Sequence, residues 1–238
     1  MTTILAIETS TPACSVALNI GDKRFSRYSE EPRSHTRLIM RMIDDVLREA
    51  DLTVDQLDAI AVTIGPGSFT GLRIGFSTVQ GLAFAADIPV IAVSTLQVIA
   101  QTYRRKYPET LTVDHKPSNI IMSVLDARMG EFNCGVYQMD GNGQFAATID
   151  DQLLTKNDAI ALCGALNPSV IVGEAQVLID GENLSDKSTV DIYPDAIDLL
   201  DIALVKYTLG AAVSIDQIDL VYLRGTDAWK KHTPLRAL

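Results

Sequence analysis

A strand, a polar turn and a second strand open the chain as ILAIE, TSTPA and CSVALNI, ending in a turn at Gly21 and Asp22. The same layout returns 118 residues later: IMSVLD (Ile121 to Asp126), the turn ARMG, EFNCGVYQM and a second turn, DGNG. That spacing sets Asp126 in the place of Glu8 and aligns Phe132, Cys134 and Val136 with Cys14, Val16 and Leu18. Apolar runs bounded by turn residues read as hairpins. An internal repeat of this length suggests two lobes built on one plan.

The segments between the repeats alternate in type, which predicts an α/β chain. Ser34 to Ala50 carries Leu38, Ile39, Met42, Ile43, Val46 and Leu47 at helical spacing, with Ser34 as a candidate cap. Its wide apolar stripe suggests cover on two sides. A second helix is predicted from Ser68 to Ala86, with Phe69, Leu72, Phe76, Val79, Leu82 and Ala83 apolar, ahead of a strand, IPVIAVS. Gln101 to Asn119 is polar, basic in its first half and holds two prolines, so it reads as the inter-lobe linker. A short strand, SVIVG, and a helix around Ala196 to Ala212 follow.

The loop IGPGSFTGLRIG, placed between a strand and a helix, invites a phosphate reading. No lysine follows any glycine, so it is not a P-loop, and Gly71 comes one place late for GxGxxG. Gly67, Gly71 and Gly75 recur every fourth residue, a spacing that lets another backbone approach one helix face. A partner helix is the expected neighbour; an anion at the helix N-terminus and ordinary turn chemistry stay open. Glu8 and Asp126 read either as facing carboxylates across a cleft holding a metal-nucleotide, or as separate strand-end caps.

Zincin-type chemistry is excluded, whereas a Cys-His or Ser-His nucleophilic pair stays open. His35, His115 and His232 make no HExxH or HxxxH pair, and no GxSxG elbow singles out a serine. His35, near a helix start, reads as structural or interfacial. Cys14, Cys134 and Cys163 are too scattered for a disulfide framework and read as small core residues. A net charge of −10 opposes free-standing nucleic-acid binding. The tail VYLRGTDAWKKH, with Arg224, Trp229, Lys230, Lys231 and His232, reads as a solvated end or a local anion or RNA contact. No apolar run approaches membrane-span length, and MTTILAIETS has no signal-peptide pattern, so a soluble, cytoplasmic protein is expected.

Taken in order, ILAIETSTPACSVAL, SHTRLI, GPGSFTGLRIG with QGLA, the strand ending VST, VLDARMGEFNCGVY and VYLRGTDAWKK resemble the TsaB (YeaZ) family over essentially the whole chain. Glu8 departs from the aspartate frequent there. The resemblance implies a two-lobed actin-like ATPase (ASKHA) fold, with lobes expected at residues 1–102 and 103–213 and a return of about 214–238 to the first left open. It also implies a cytoplasmic, non-catalytic subunit that binds and activates a catalytic TsaD-type paralogue in tRNA threonylcarbamoyladenosine formation. Further implied partners are a P-loop ATPase of the TsaE type and a second copy of the chain, with tRNA met only through the complex and no membrane.

The catalytic paralogue resembles this chain but carries HxxxH after its VS strand; here Ser94 to Ile99 holds no histidine. The implied partner interface is the first two helices packed as a four-helix bundle. On this chain that gives Ser34, His35, Leu38, Met42, Phe69, Gly71, Leu72, Gly75, Phe76 and Val79. A vestigial nucleotide or phosphate cleft is expected at Glu8, Thr9, Ser10, Asp126 and Gly173, the last standing where such folds place a GG turn against adenine. No cofactor or metal is required. Weak ATP or ADP with Mg, at the cleft or a partner interface, stays open, as do an ATP-dependent phosphotransferase of the same fold and, less favoured, a peptidase.

Overall fold

Two five-stranded sheets, one from each half of the chain, frame the computed structural model, which describes residues 1–110, 119–180 and 188–224. The first sheet holds β1 (Thr3–Glu8), β2 (Cys14–Ile20), β3 (Lys23–Ser29), β4 (Ala59–Gly65) and β5 (Val90–Ser94) in the order β3-β2-β1-β4-β5. The second repeats that order as β8-β7-β6-β9-β10, from β6 (Ile120–Arg128), β7 (Glu131–Met139), β8 (Phe145–Thr155), β9 (Val170–Gly173) and β10 (Thr189–Asp191). In both sheets an antiparallel three-stranded meander is extended by parallel strands. This duplication is the two-lobed actin-like ATPase architecture.

Helices cover both faces of each sheet, so the central strands β1, β4, β6 and β9 are largely buried on both sides, while the edge strands β3 and β8 are largely exposed. α1 (His35–Glu49) and α2 (Phe69–Ala86) bury Ile39, Ile43, Phe76 and Val79 against Leu5, Ile7, Val16 and Leu18. α4 (Lys156–Leu166) and α5 (Ala175–Ile179) do the same for Met122, Val124, Phe132 and Cys134. The remaining two helices exchange lobes. α3 (Thr95–Lys106) leaves the first sheet to pack Leu96, Ile99 and Tyr103 on the second, and α6 (Ala196–Thr208) returns to bury Leu199, Leu200 and Ala203 on the first. Cys14, Cys134 and Cys163 are buried free thiols.

The exchange corrects two expectations. The first part of the expected linker is helix: Gln101, Thr102 and Tyr103 are buried in α3, a boundary at 102/103 would cut that helix, and residues 111–118 of the segment lie outside the described residues. Burying Leu96 and Ile99 contributes about 1.5–3 kcal/mol each, more than the few tenths by which the polar residues of α3 weaken a helix. The basic run Arg104, Arg105, Lys106 is its last turn, where cations oppose the helix dipole. α6, expected in the second lobe, packs on the first sheet. The chain then runs back along that sheet, with Val213 bridged to Val90, Ile215 and Ile218 in the core, and the Val221 amide bonded to the Ile64 carbonyl. His115, Trp229, Lys230, Lys231 and His232 lie outside the described residues.

Register refines the repeat. Glu8 pairs with Ser15, whereas Leu125 pairs with Asn133, the residue 118 places after Ser15. Leu125, not Asp126, therefore occupies the place of Glu8. The second hairpin contains one extra residue, taken up by the register shift between Asp126 and Arg128. One step along a strand reverses the face. By alternation Glu8 lies with Ile4 and Ala6 on the α6 side of its sheet, and Asp126 with Met122 and Val124 on the α4–α5 side of the other.

The turn after β1 is gripped by the glycine row of α2. An added Cβ would overlap the Ser10 carbonyl oxygen at Gly67, the Thr9 carbonyl oxygen at Gly71 and the Thr9 hydroxyl at Gly75. The Thr9 hydroxyl donates to the Gly71 carbonyl at 2.8 Å, and the Ser68 amide to the Ser10 carbonyl at 2.6 Å. The close neighbour predicted from the glycine spacing is thus the chain's own β1–β2 turn, not a partner helix. Gly71→Ala should destabilise the protein by about 2–3 kcal/mol through overpacking. Gly81→Ala on the same helix, with open space around it, should stabilise by up to about 1 kcal/mol. Chemical unfolding of both variants checks this pair.

Glu8 is fully buried; its Oε1 accepts from the Ser10 amide at 2.6 Å and hydroxyl at 2.5 Å, while Oε2 has no partner. Burial raises its pKa to about 7, against the lowering effect of the Ser10 bonds. The folded state therefore holds this proton more tightly than the unfolded chain. Its contribution is complete below pH ~4.5 and is lost as pH rises through about 7. Unfolding at pH 5 and pH 8 should show a loss for the parent that is larger, by about 2–3 kcal/mol, than that of Glu8→Gln.

Candidate functional site

Between the lobes lies a cleft of about 1090 Å³, lined from the first lobe by Ser10, Thr11, Arg33, His35 and residues 66–71, from the second by Leu125–Arg128 and Glu174, and closed at one end by Val221–Arg224. The β1–β2 turn and the N-terminus of α2 form its first wall. Ser68 caps α2, its hydroxyl accepting from the Gly71 amide at 3.2 Å. His35 Nε2 lies 2.9 Å from the Thr11 carbonyl and 3.1 Å from the Ala13 carbonyl. Both partners are acceptors, so Nε2 carries the proton and ties α1 to the turn. Ser34 does not cap by side chain; its hydroxyl donates to the Glu31 carbonyl at 2.6 Å.

The second wall is the β6–β7 turn. Asp126 accepts from the Arg128 amide at 2.8 Å and pairs with its guanidinium at 3.1 Å. The Asp126 amide donates to Glu174 at 2.8 Å. Burial raises the Glu174 pKa despite that bond. Gly173 precedes it at φ +105°, with no room for a side chain beside the Val124 carbonyl. Of the five expected cleft residues, Ser10 and Asp126 line the cavity; Glu8, Thr9 and Gly173 sit behind it. The two carboxylates do not form a facing pair.

Arginines mark the cleft in an otherwise acidic protein. Arg33 and Arg73 make no ion pair among the described residues. Arg73 lies over the Phe69 ring at 3.6 Å and donates to the Tyr222 hydroxyl at 3.3 Å, and the two rings are 5.4 Å apart. Arg224 bonds across to the opposite turn. None of Arg33, Arg73, Arg128 and Tyr222 was singled out by motif. Arg73, Arg128 and Tyr222 stand within the quoted runs GPGSFTGLRIG, VLDARMGEFNCGVY and VYLRGTDAWKK without being named individually, and Arg33 stands in none of them.

The expected interface residues divide by exposure. Ser34, His35, Met42, Gly71, Leu72, Gly75, Phe76 and Val79 are buried within the chain's own core, and Leu38 packs against it. That part of the expected list is corrected: the wide stripe of α1 and the glycine face of α2 are satisfied internally. What remains open is the outer face, with Phe69 55% exposed, Met40 49% and Phe84 86%. A groove of about 580 Å³ lies there between Thr36, Ile39 and Met40 of α1 and Phe69, Arg73, Ile74 and Ser77 of α2. Among the described residues no group of three or more His, Cys, Asp and Glu side chains is placed to hold a metal ion, and no helix is long and apolar enough to cross a membrane.

A family model described as TsaD, tRNA N6-adenosine threonylcarbamoyltransferase, matches residues 29–169. The tRNA threonylcarbamoyladenosine biosynthesis protein TsaB of Escherichia coli K12 is 36% identical over 96% of this chain and 97% of its own length. Its Haemophilus influenzae counterpart is 34% identical over 96% of both chains. The solved structure of YeaZ from Pseudomonas aeruginosa superposes with a TM-score of 0.81 at 33% identity, covering 94% of this chain and all of that one. On this full-length similarity in sequence and fold, the chain belongs to the TsaB (YeaZ) family.

Proposed function

We propose that the chain acts in tRNA threonylcarbamoyladenosine formation as a non-catalytic subunit that binds a TsaD-type catalytic paralogue and holds it in its competent state. The observation that carries this reading is the filling of the first turns of α3. The paralogue is expected to carry HxxxH after the equivalent of β5. Here Ser94 caps the helix, bonding the Leu96 and Gln97 amides at 3.1 and 3.4 Å, and Leu96, Val98 and Ile99 are wholly buried in apolar clusters. This stretch has no titratable side chain and no space in which to hold a metal-bound substrate.

A subunit without chemistry of its own acts by differential binding, stabilising one state of its partner. The groove between α1 and α2 supplies the surface. It is apolar in Ile39, Met40, Phe69 and Ile74, rimmed by hydroxyls and Arg73, and built on helices anchored by a filled core. That rigidity lowers the ordering cost of association. A TsaE-type ATPase, self-association through the same face and a cytoplasmic location complete the proposal. The acidic surface leaves tRNA contact to the other subunits.

Reconstituted tRNA modification with the catalytic paralogue and the ATPase tests the reading. Omitting the chain, or supplying Met40→Glu, should lower the rate about tenfold or more, with the unfolding midpoint of the variant within about 2 °C of the parent. The chain alone should yield no modified tRNA. Modification by the chain alone, or a rate indifferent to its presence, contradicts the proposal.

A further inference from the structure

The β6–β7 turn is held in a conformation that its residues do not favour. Arg128 and Met129 stand at φ +67° and +60°, followed by Gly130 at +76°. Two adjacent non-glycine residues in the left-handed region persist only where their surroundings impose it. Met129 is 85% exposed and so has no packing of its own to supply that constraint. From below, Glu174 holds the Asp126 amide. From above, Arg224 meets the turn at every step: it donates to the Ala127 carbonyl at 3.1 Å and the Arg128 carbonyl at 3.1 Å, approaches Met129 Sδ at 3.3 Å and pairs with Glu131.

We infer that Arg224 is a latch, tying a C-terminal strap on the first lobe to the β6–β7 turn of the second and imposing the turn's left-handed shape. The strap is fixed to the first lobe by the Val221 amide on the Ile64 carbonyl at 2.8 Å and by Tyr222 against Phe69 and Arg73. Its far end therefore reports the position of α2. The Ala127 and Arg128 carbonyls and the Glu131 carboxylate all gather on one nitrogen of the guanidinium, Nη2, while Nη1 faces Met129 Sδ. The same four-way contact spans the mouth of the cleft, so the latch sets the distance between the lobes as well as the shape of the turn.

Amide hydrogen exchange of the full chain tests the latch. In Arg224→Ala, exchange across residues 126–132 should rise about tenfold or more, while β1 and β4 stay within about twofold of the parent. Arg224→Lys should lie between, since it keeps the charge but has no second nitrogen to meet Met129 Sδ. Unchanged exchange in the turn overturns the inference. A second measurement addresses the imposed shape. In an Arg128→Gly, Met129→Gly background the left-handed conformation no longer needs imposing, so Arg224→Ala should lower the unfolding midpoint by less than half as much as in the parent. An equal loss in both backgrounds means that Arg224 only contributes an ion pair, and the latch is wrong.

Discussion

The contact between the glycine row of α2 and the Thr9–Ser10 turn determines the arrangement of the first lobe and of the cleft beside it. Three successive glycines bring a helix axis within backbone distance of a hairpin turn, with the Thr9 hydroxyl and the Ser68 amide bonding across the seam. The helix N-terminus, the turn and the ring of His35 then form one wall. Because that seam is internal, the opposite face of α2 is the one left to meet a partner. Phe69, at the start of the helix, belongs to both the cleft and the outer groove.

The exchange of α3 and α6 between lobes is the second organising feature. Each crossing helix packs on the other half's sheet, and Arg105 on α3 grips Asp198 and Asp195 at α6 with bonds of 2.7 to 2.9 Å. Asp198 is fully buried, but the Arg105 side chain is 40% exposed, so solvent screens part of the attraction. Burial raises the Asp198 pKa, and Arg105 works against that shift. Such a pair is not a large source of stability, because desolvation offsets much of the attraction.

Much of this was legible in the sequence. The repeated hairpin gave the two-lobed α/β architecture, and the apolar spacing placed α1 and α2 to within a residue at each end. Three things were not legible, each for a physical reason. Helix α3 ends in a basic turn before a proline, and such composition resembles a linker until Leu96, Ile99 and Tyr103 are seen against the second sheet. The extra residue in the second hairpin cannot be seen by aligning acids, because Glu8 and Asp126 match by eye while their strands run one step out of register. Glycine spacing announces a close approach without naming the neighbour, and here the neighbour was intramolecular. The run VYLRG was visible as a basic tail, but that Arg224 reaches the β6–β7 turn depends on tertiary contacts that no local pattern announces.

The central claim is that the open groove between α1 and α2 seats the catalytic paralogue. All three native cysteines are buried, so a single exposed thiol can be placed there by Ser77→Cys, with Asn142→Cys on the second lobe as a control. The rate of thiol alkylation, measured as the catalytic paralogue is added, reports cover directly. The account predicts that Cys alkylation at position 77 slows about tenfold or more at saturation while position 142 is unaffected. Equal rates at position 77 with and without bound partner would contradict it.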